Sequence, residues 1–97
     1  MEDIHHYVLV GGRREMRMIA EAVKAGKGVD ARDSDGNTPL HTAAALGNIR
    51  ICAVLVEQGA DILALDAGGR TPFRIAEDAG HHELATLFEN EADRQGL

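Results

Sequence analysis

Asp33-Ser34-Asp35-Gly36-Asn37-Thr38-Pro39-Leu40 returns 33 residues later as Asp66-Ala67-Gly68-Gly69-Arg70-Thr71-Pro72-Phe73. The correspondence runs on: Ala43 and Gly47 recur as Ala76 and Gly80, and Ile51, Val54 and Leu55 as Leu84, Leu87 and Phe88. Only six positions are identical between residues 32–64 and 65–97. They are the turn-forming and tight-packing ones, where backbone conformation restricts the choice of residue. A fixed period of roughly 20–50 residues marks a stack of repeated units.

One unit can be read residue by residue. Asp33 to Asn37 is a dense run of turn formers, with Gly36 free to take positive φ. Thr38 and Pro39 open a helix as N-cap and first helical residue. Leu40, Ala43 and Ala44 give it a narrow apolar stripe, and Gly47 is placed to end it. Asn48 can cap a second helix, whose Ile49, Cys52, Val56 and Ile51, Leu55 recur at helical spacing. Gly59 stops that helix, and Asp61 begins the next turn. The unit reads as turn, short helix, tight loop, longer helix.

With Thr38-Pro39-Leu40-His41 followed by Thr42-Ala43-Ala44, and with Gly59-Ala60-Asp61 closing the unit, the chain resembles the ankyrin-repeat family. The resemblance is nearly complete over residues 32–64. It implies an all-α solenoid of three helix-turn-helix units joined by β-turn, hairpin-like fingers. Thr71, Pro72 and Gly80 repeat the motif in the third unit. In the motif the histidine is structural, so His41 is expected to hydrogen-bond the adjoining turn, braced by the Thr38 hydroxyl. Arg74 stands in its place in the third unit.

One domain over residues 1–97 is expected, with units at about 1–31, 32–64 and 65–97. The 33-residue register runs back through the first unit, placing Gly26 on Gly59, Met18 on Ile51 and Val23 on Val56. Glu15 to Ala25 thus reads as its second helix. His5 to Gly12 lacks the Thr-Pro start, which makes the first unit a degenerate, capping repeat. In the third unit Ala44, Cys52 and Val56 become Glu77, Ala85 and Glu89; acidic side chains at stacking positions suit a face that meets water. Glu21 replaces Val54 at the other end. Both ends therefore read as finished, with the last residues, where Gly-Ala-Asp is lost, expected to fray.

Composition narrows the function. The apolar fraction is 44% with 3% aromatic residues, so the core is expected to be aliphatic and Ala-rich. No apolar run reaches the ~18 residues of a membrane span. Residues 1–12 lack the pattern of a secretory signal. A single cysteine, Cys52, forms no internal disulfide, which fits a reducing, cytoplasmic setting. The net charge of −6 sits in the second and third units. Lys and Arg against Asp and Glu number five and five in residues 1–31, two and four in 32–64, three and seven in 65–97. Beyond Arg13, Arg14 and Arg17 no basic cluster exists to replace nucleic-acid counterions.

Catalysis has little support. The sequence has neither a nucleophile elbow nor a phosphate loop, and Gly68-Gly69 belongs to a turn. Asp33 and Asp35 lie on an exposed finger, where no pocket would tune them. His5-His6 and His81-His82-Glu83 lack the three- or four-residue spacing that aims two ligands at one metal. His81 takes the place of Asn48 as a helix N-cap, with Glu83 suited to the first-turn dipole. No enzyme activity, cofactor or metal is expected.

The resemblance implies binding of another protein through finger tips and the outward edge of the first helices. Carried over by position, those residues are Arg32, Ser34, Asp35 and Asn37, then Leu65, Ala67, Gly68 and Arg70. On the helices they are Ala45 and Leu46, then Asp78 and Ala79. Leu46 and Leu65 are expected to be exposed, and an apolar pair beside acidic and arginine neighbours suits an interaction centre. The favoured reading is a small monomeric adaptor or inhibitor, its acidity matched to a partner's basic patch. The alternatives are a self-associating structural protein, against which Glu77 and Glu89 argue, and a histidine metal-binding protein.

Overall fold

The computed structural model describes residues 4–26 and 28–97. Six helices follow one another: α1 (Ile4–Val10), α2 (Arg13–Lys24), α3 (Pro39–Leu46), α4 (Ile49–Glu57), α5 (Pro72–Asp78) and α6 (His82–Gln95). α1 pairs with α2, α3 with α4 and α5 with α6 as antiparallel hairpins, because only two or three residues separate the helices of each pair. α3 packs on both α1 and α5 to make an inner row, while α2 lies against α4 outside it. This is the expected all-α stack, and no strand occurs among the described residues.

The helix ends follow from their residues. Thr38 Oγ1 accepts from the His41 amide at 3.3 Å, and Asn48 Oδ1 accepts from the Ile51 amide at 3.1 Å. Thr71 Oγ1 accepts from the Arg74 amide in the same way, at 3.3 Å. Gly47 ends α3 in the left-handed region at φ 71°, a conformation that disfavours a Cβ. The core is aliphatic, with Ile19, Leu40, Ala43, Ala44, Ile51, Cys52, Leu55 and Leu84 buried; Phe88 is its aromatic member. Each large side chain buried there contributes about 1.5–3 kcal/mol against leaving it in water.

Neighbouring units are also laced together by side chains that reach main-chain atoms. The Asp61 amide donates to Asp30 Oδ1 at 2.9 Å, and Arg32 Nη1 donates to the Leu65 carbonyl at 2.7 Å. Asn48 Nδ2 donates to the Gly11 carbonyl at 3.0 Å, and His81 Nε2 reaches the Ala45 carbonyl at 3.3 Å.

Three expectations change. First, α2 begins at Arg13, not Glu15, because Glu15 Oε1 takes the Gly12 amide at 3.1 Å and so sits inside the first turn. The added residues push α1 back: Gly11 takes the left-handed conformation of Gly47 (φ 65°), and those glycines are 36 residues apart, not 33. Ile4 and Val8 then fill the places of Leu40 and Ala44, and both are buried. Second, α6 runs on to Gln95 and is capped by Gly96 at φ 77°, so the frayed end is not seen. Ala92 replaces the helix-stopping Gly59, and Glu91 holds Arg94 at 3.2 Å and Gln95 at 3.1 Å. Third, His81 stands at the N-cap of α6 but its side chain caps nothing. Its ring lies instead over Gly47, where a Cβ would come within 2.6 Å of it.

Candidate protein-interaction surface

Each finger is tied by one carboxylate. Asp33 Oδ1 accepts from the amides of Asp35 and Asn37, both at 2.9 Å. Asp66 Oδ1 accepts from Gly68 at 2.9 Å and Arg70 at 2.8 Å, and the Asp66 side chain, 3% exposed, also meets the Arg70 guanidinium at 3.2 Å. The amide of Asn37 holds the Asp33 carboxyl below its ordinary value of 3.8, and the amide of Arg70 does the same for Asp66. The unfolded chain therefore takes up protons at a higher pH than the native fingers do. Stability from these carboxylates is complete above that ordinary value and drains away as pH falls through the lowered ones. Thermal melts between about pH 7 and pH 3 should show a decline that is shallower for Asp33→Asn with Asp66→Asn. An equally steep decline would place the acid sensitivity elsewhere.

His41 joins the second finger to the third. Its Nε2 lies 2.9 Å from the Arg70 carbonyl, which can only accept, so Nε2 carries the proton. Nδ1 then accepts from the Thr38 hydroxyl at 2.7 Å, with the Thr38 amide at 3.3 Å. His41 and Thr38 are both buried. The ring is a structural strut.

Arg32, Ser34, Asp35, Leu65, Ala67 and Arg70 are exposed on the fingers, and Asn37 is half-buried. Ala45 and Leu46 are exposed on α3, and Asp78 and Ala79 at the C-terminal end of α5. Several line one open groove of about 470 Å³ between α3 and α5, with Ala45, Leu46, Ile75 and Ala79 as its apolar part and Asn37, Arg70 and Asp78 at its edge. Three of the charged members are already engaged: Arg32 with the Gly36 and Leu65 carbonyls, Arg70 with Asp66, and Asp78 with Arg74. The leucines are not, Leu46 being 53% and Leu65 52% exposed.

Sequence reasoning missed three apolar neighbours. Leu9 is 64%, Val10 57% and Leu63 52% exposed. Leu9 and Val10 occupy on α1 the places that Ala45 and Leu46 occupy on α3. Aligning Gly11 with Gly47, in place of a constant spacing, would have found them. The inner row thus shows water an apolar series on two successive helices, more than scattered single residues require.

The other candidates stay apart. His5 reaches the Ala31 carbonyl at 2.5 Å, and the rings of His6 and Tyr7 meet in a T shape with centroids 6.1 Å apart. Among the described residues no three metal-ligating side chains converge. Cys52 is buried, and burial pushes its thiol up to about 12, so it holds its proton at neutral pH and is a poor nucleophile. No helix of the described residues is long and apolar enough to cross a membrane.

Stacked helix pairs, finger turns tied by aspartate and a buried histidine strut together define a repeat scaffold whose open face is available for contact. The family description "Ankyrin repeats (3 copies)" matches residues 6–95. The chain belongs to the ankyrin-repeat family, whose members generally bind other proteins and typically lack enzyme activity. No curated protein sequence matches the chain.

Proposed function

We propose that this protein is a small cytoplasmic adaptor or inhibitor that docks one partner protein across the inner helices and finger tips. The observation that carries the reading is the unpaired apolar series Leu9, Val10 and Leu46, with Leu63 and Leu65 beside the third finger, exposed by half or more. Ala45, Ala67 and Ala79 add to the apolar area, and Arg32, Ser34, Asp35, Asn37, Arg70 and Asp78 supply the polar groups of the same fingers and helices. Apolar centres within polar rims are the usual anatomy of an interface. The net charge of −6 favours a partner with basic groups around an apolar anchor, and such association weakens with salt.

Affinity capture from the source cell's lysate tests this. Wild type is compared with a Leu46→Arg, Leu65→Arg double variant shown by circular dichroism to be folded. A protein held by wild type and lost by the variant supports the reading and names the partner. The same protein held equally by both moves the site off this face, and no specific retention removes the adaptor reading.

A further inference from the structure

The outer side of the stack carries a second feature, independent of the inner face. α2 lies close along α4, but α6 leans on α5 and stands away from α4. The space left is an open groove of about 420 Å³. Ile49, Ala53 and Val56 of α4 and Leu87 of α6 line it, all half-buried. Glu57, Glu83 and Glu91 stand along its edges. Among the described residues the cation that lines it, Arg94, is already bound to Glu91 at 3.2 Å. An apolar trough between two helices with a surplus of carboxylates on its edges has a definite complement. A helix fits it when leucine-like residues at three- and four-residue spacing enter the trough and lysine or arginine flanks them.

We propose that the α4–α6 groove is a docking site for a cationic amphipathic helix of a partner protein. Its apolar side fills the space that α6 leaves open, and its basic flanks meet Glu57 and Glu83. The two faces of the stack then bind different things, the inner one through exposed leucines and the outer one through this groove. A two-faced scaffold can bridge partners.

The probe is a synthetic peptide of about four helical turns, built of leucine and lysine with leucines at helical spacing. A peptide of the same composition in strict alternation serves as the control. Amide-shift mapping on the labelled protein should show saturable changes clustered on Ala53, Val56, Thr86, Leu87 and Asn90. Glu57→Gln with Glu83→Gln should weaken binding about tenfold, and Ala53→Arg, which fills the trough, should abolish it. Glu57 and Glu83 are exposed and Ala53 is half-buried, and circular dichroism checks that both variants remain folded. Leu46→Arg should bind as wild type does. The proposal is overturned by shifts spread over the acidic surface, by equal binding of the alternating peptide, or by unchanged binding to Ala53→Arg.

Discussion

Ala44→Glu should remove much of the folding stability, whereas Glu77→Ala should leave stability within about 0.5 kcal/mol of wild type. The two residues hold the same place in successive units, 33 residues apart. Ala44 is fully buried on α3, between α1 and α5, while Glu77 on α5 meets water. A carboxylate placed at Ala44 would lose its hydration and force apart a helix contact built on small side chains. Either effect costs several kcal/mol, and together we expect a loss of at least about 4 kcal/mol. A domain of this size has only about 5–10 kcal/mol to lose. Denaturant unfolding followed by circular dichroism checks both variants. A cooperative transition for Ala44→Glu close to that of wild type would mean that the seam between α3 and α5 admits water.

His41→Ala should destabilise the protein by about 3 kcal/mol. The variant loses the hydrogen bond from Nε2 to the Arg70 carbonyl and the contact of Nδ1 with Thr38. It leaves the buried Thr38 hydroxyl without that partner and opens a cavity the size of an imidazole. Arg74 supplies the comparison: it holds the equivalent place, its side chain is 64% exposed, and it pairs with Asp78 at 3.1 Å. Arg74→Ala should cost under about 0.5 kcal/mol. Equilibrium unfolding gives both values, and amide exchange in residues 66–70 should quicken in His41→Ala alone. A loss under about 1 kcal/mol for His41→Ala would show that Asp66 is sufficient to hold the third finger.

The contrast between these residues also explains what could be read in the chain. The stack was legible because its turns need particular residues: glycine at positive φ, aspartate to gather the finger amides, threonine and proline to start a helix. Those requirements repeat at fixed spacing, and so does the sequence. The first unit has no such punctuation at its start, so the 33-residue register was carried through a loop that does not keep it. Glu15 reads as the start of a helix by pattern, but its carboxylate captures the Gly12 amide and draws the start back to Arg13. The resulting shift hid Leu9 and Val10, the exposed apolar residues of α1. His81 misled for a related reason. Position marks it as a cap, yet the imidazole is used against Gly47 and the Ala45 carbonyl. The span of α6 depended on Ala92 replacing a stop signal, a loss that sequence shows but whose outcome rests on the Glu91 pairs that follow. The outer groove had no sequence signal, because it arises from the stance of α6 beside α4.

The lacing between units bears on how such a chain can change over generations. Asp30, Arg32, His41, Asn48 and His81 each grasp the neighbouring unit by an amide or a carbonyl. Main-chain atoms are the same whatever residue carries them, so a mutation in the neighbour does not erase the handhold. Arg32 can hold position 65 whether it bears leucine or another residue, and His41 can hold position 70 in the same way. Two units are therefore free to diverge in most of their side chains without coming unfastened, and six shared residues between residues 32–64 and 65–97 are enough to keep one ancestry visible.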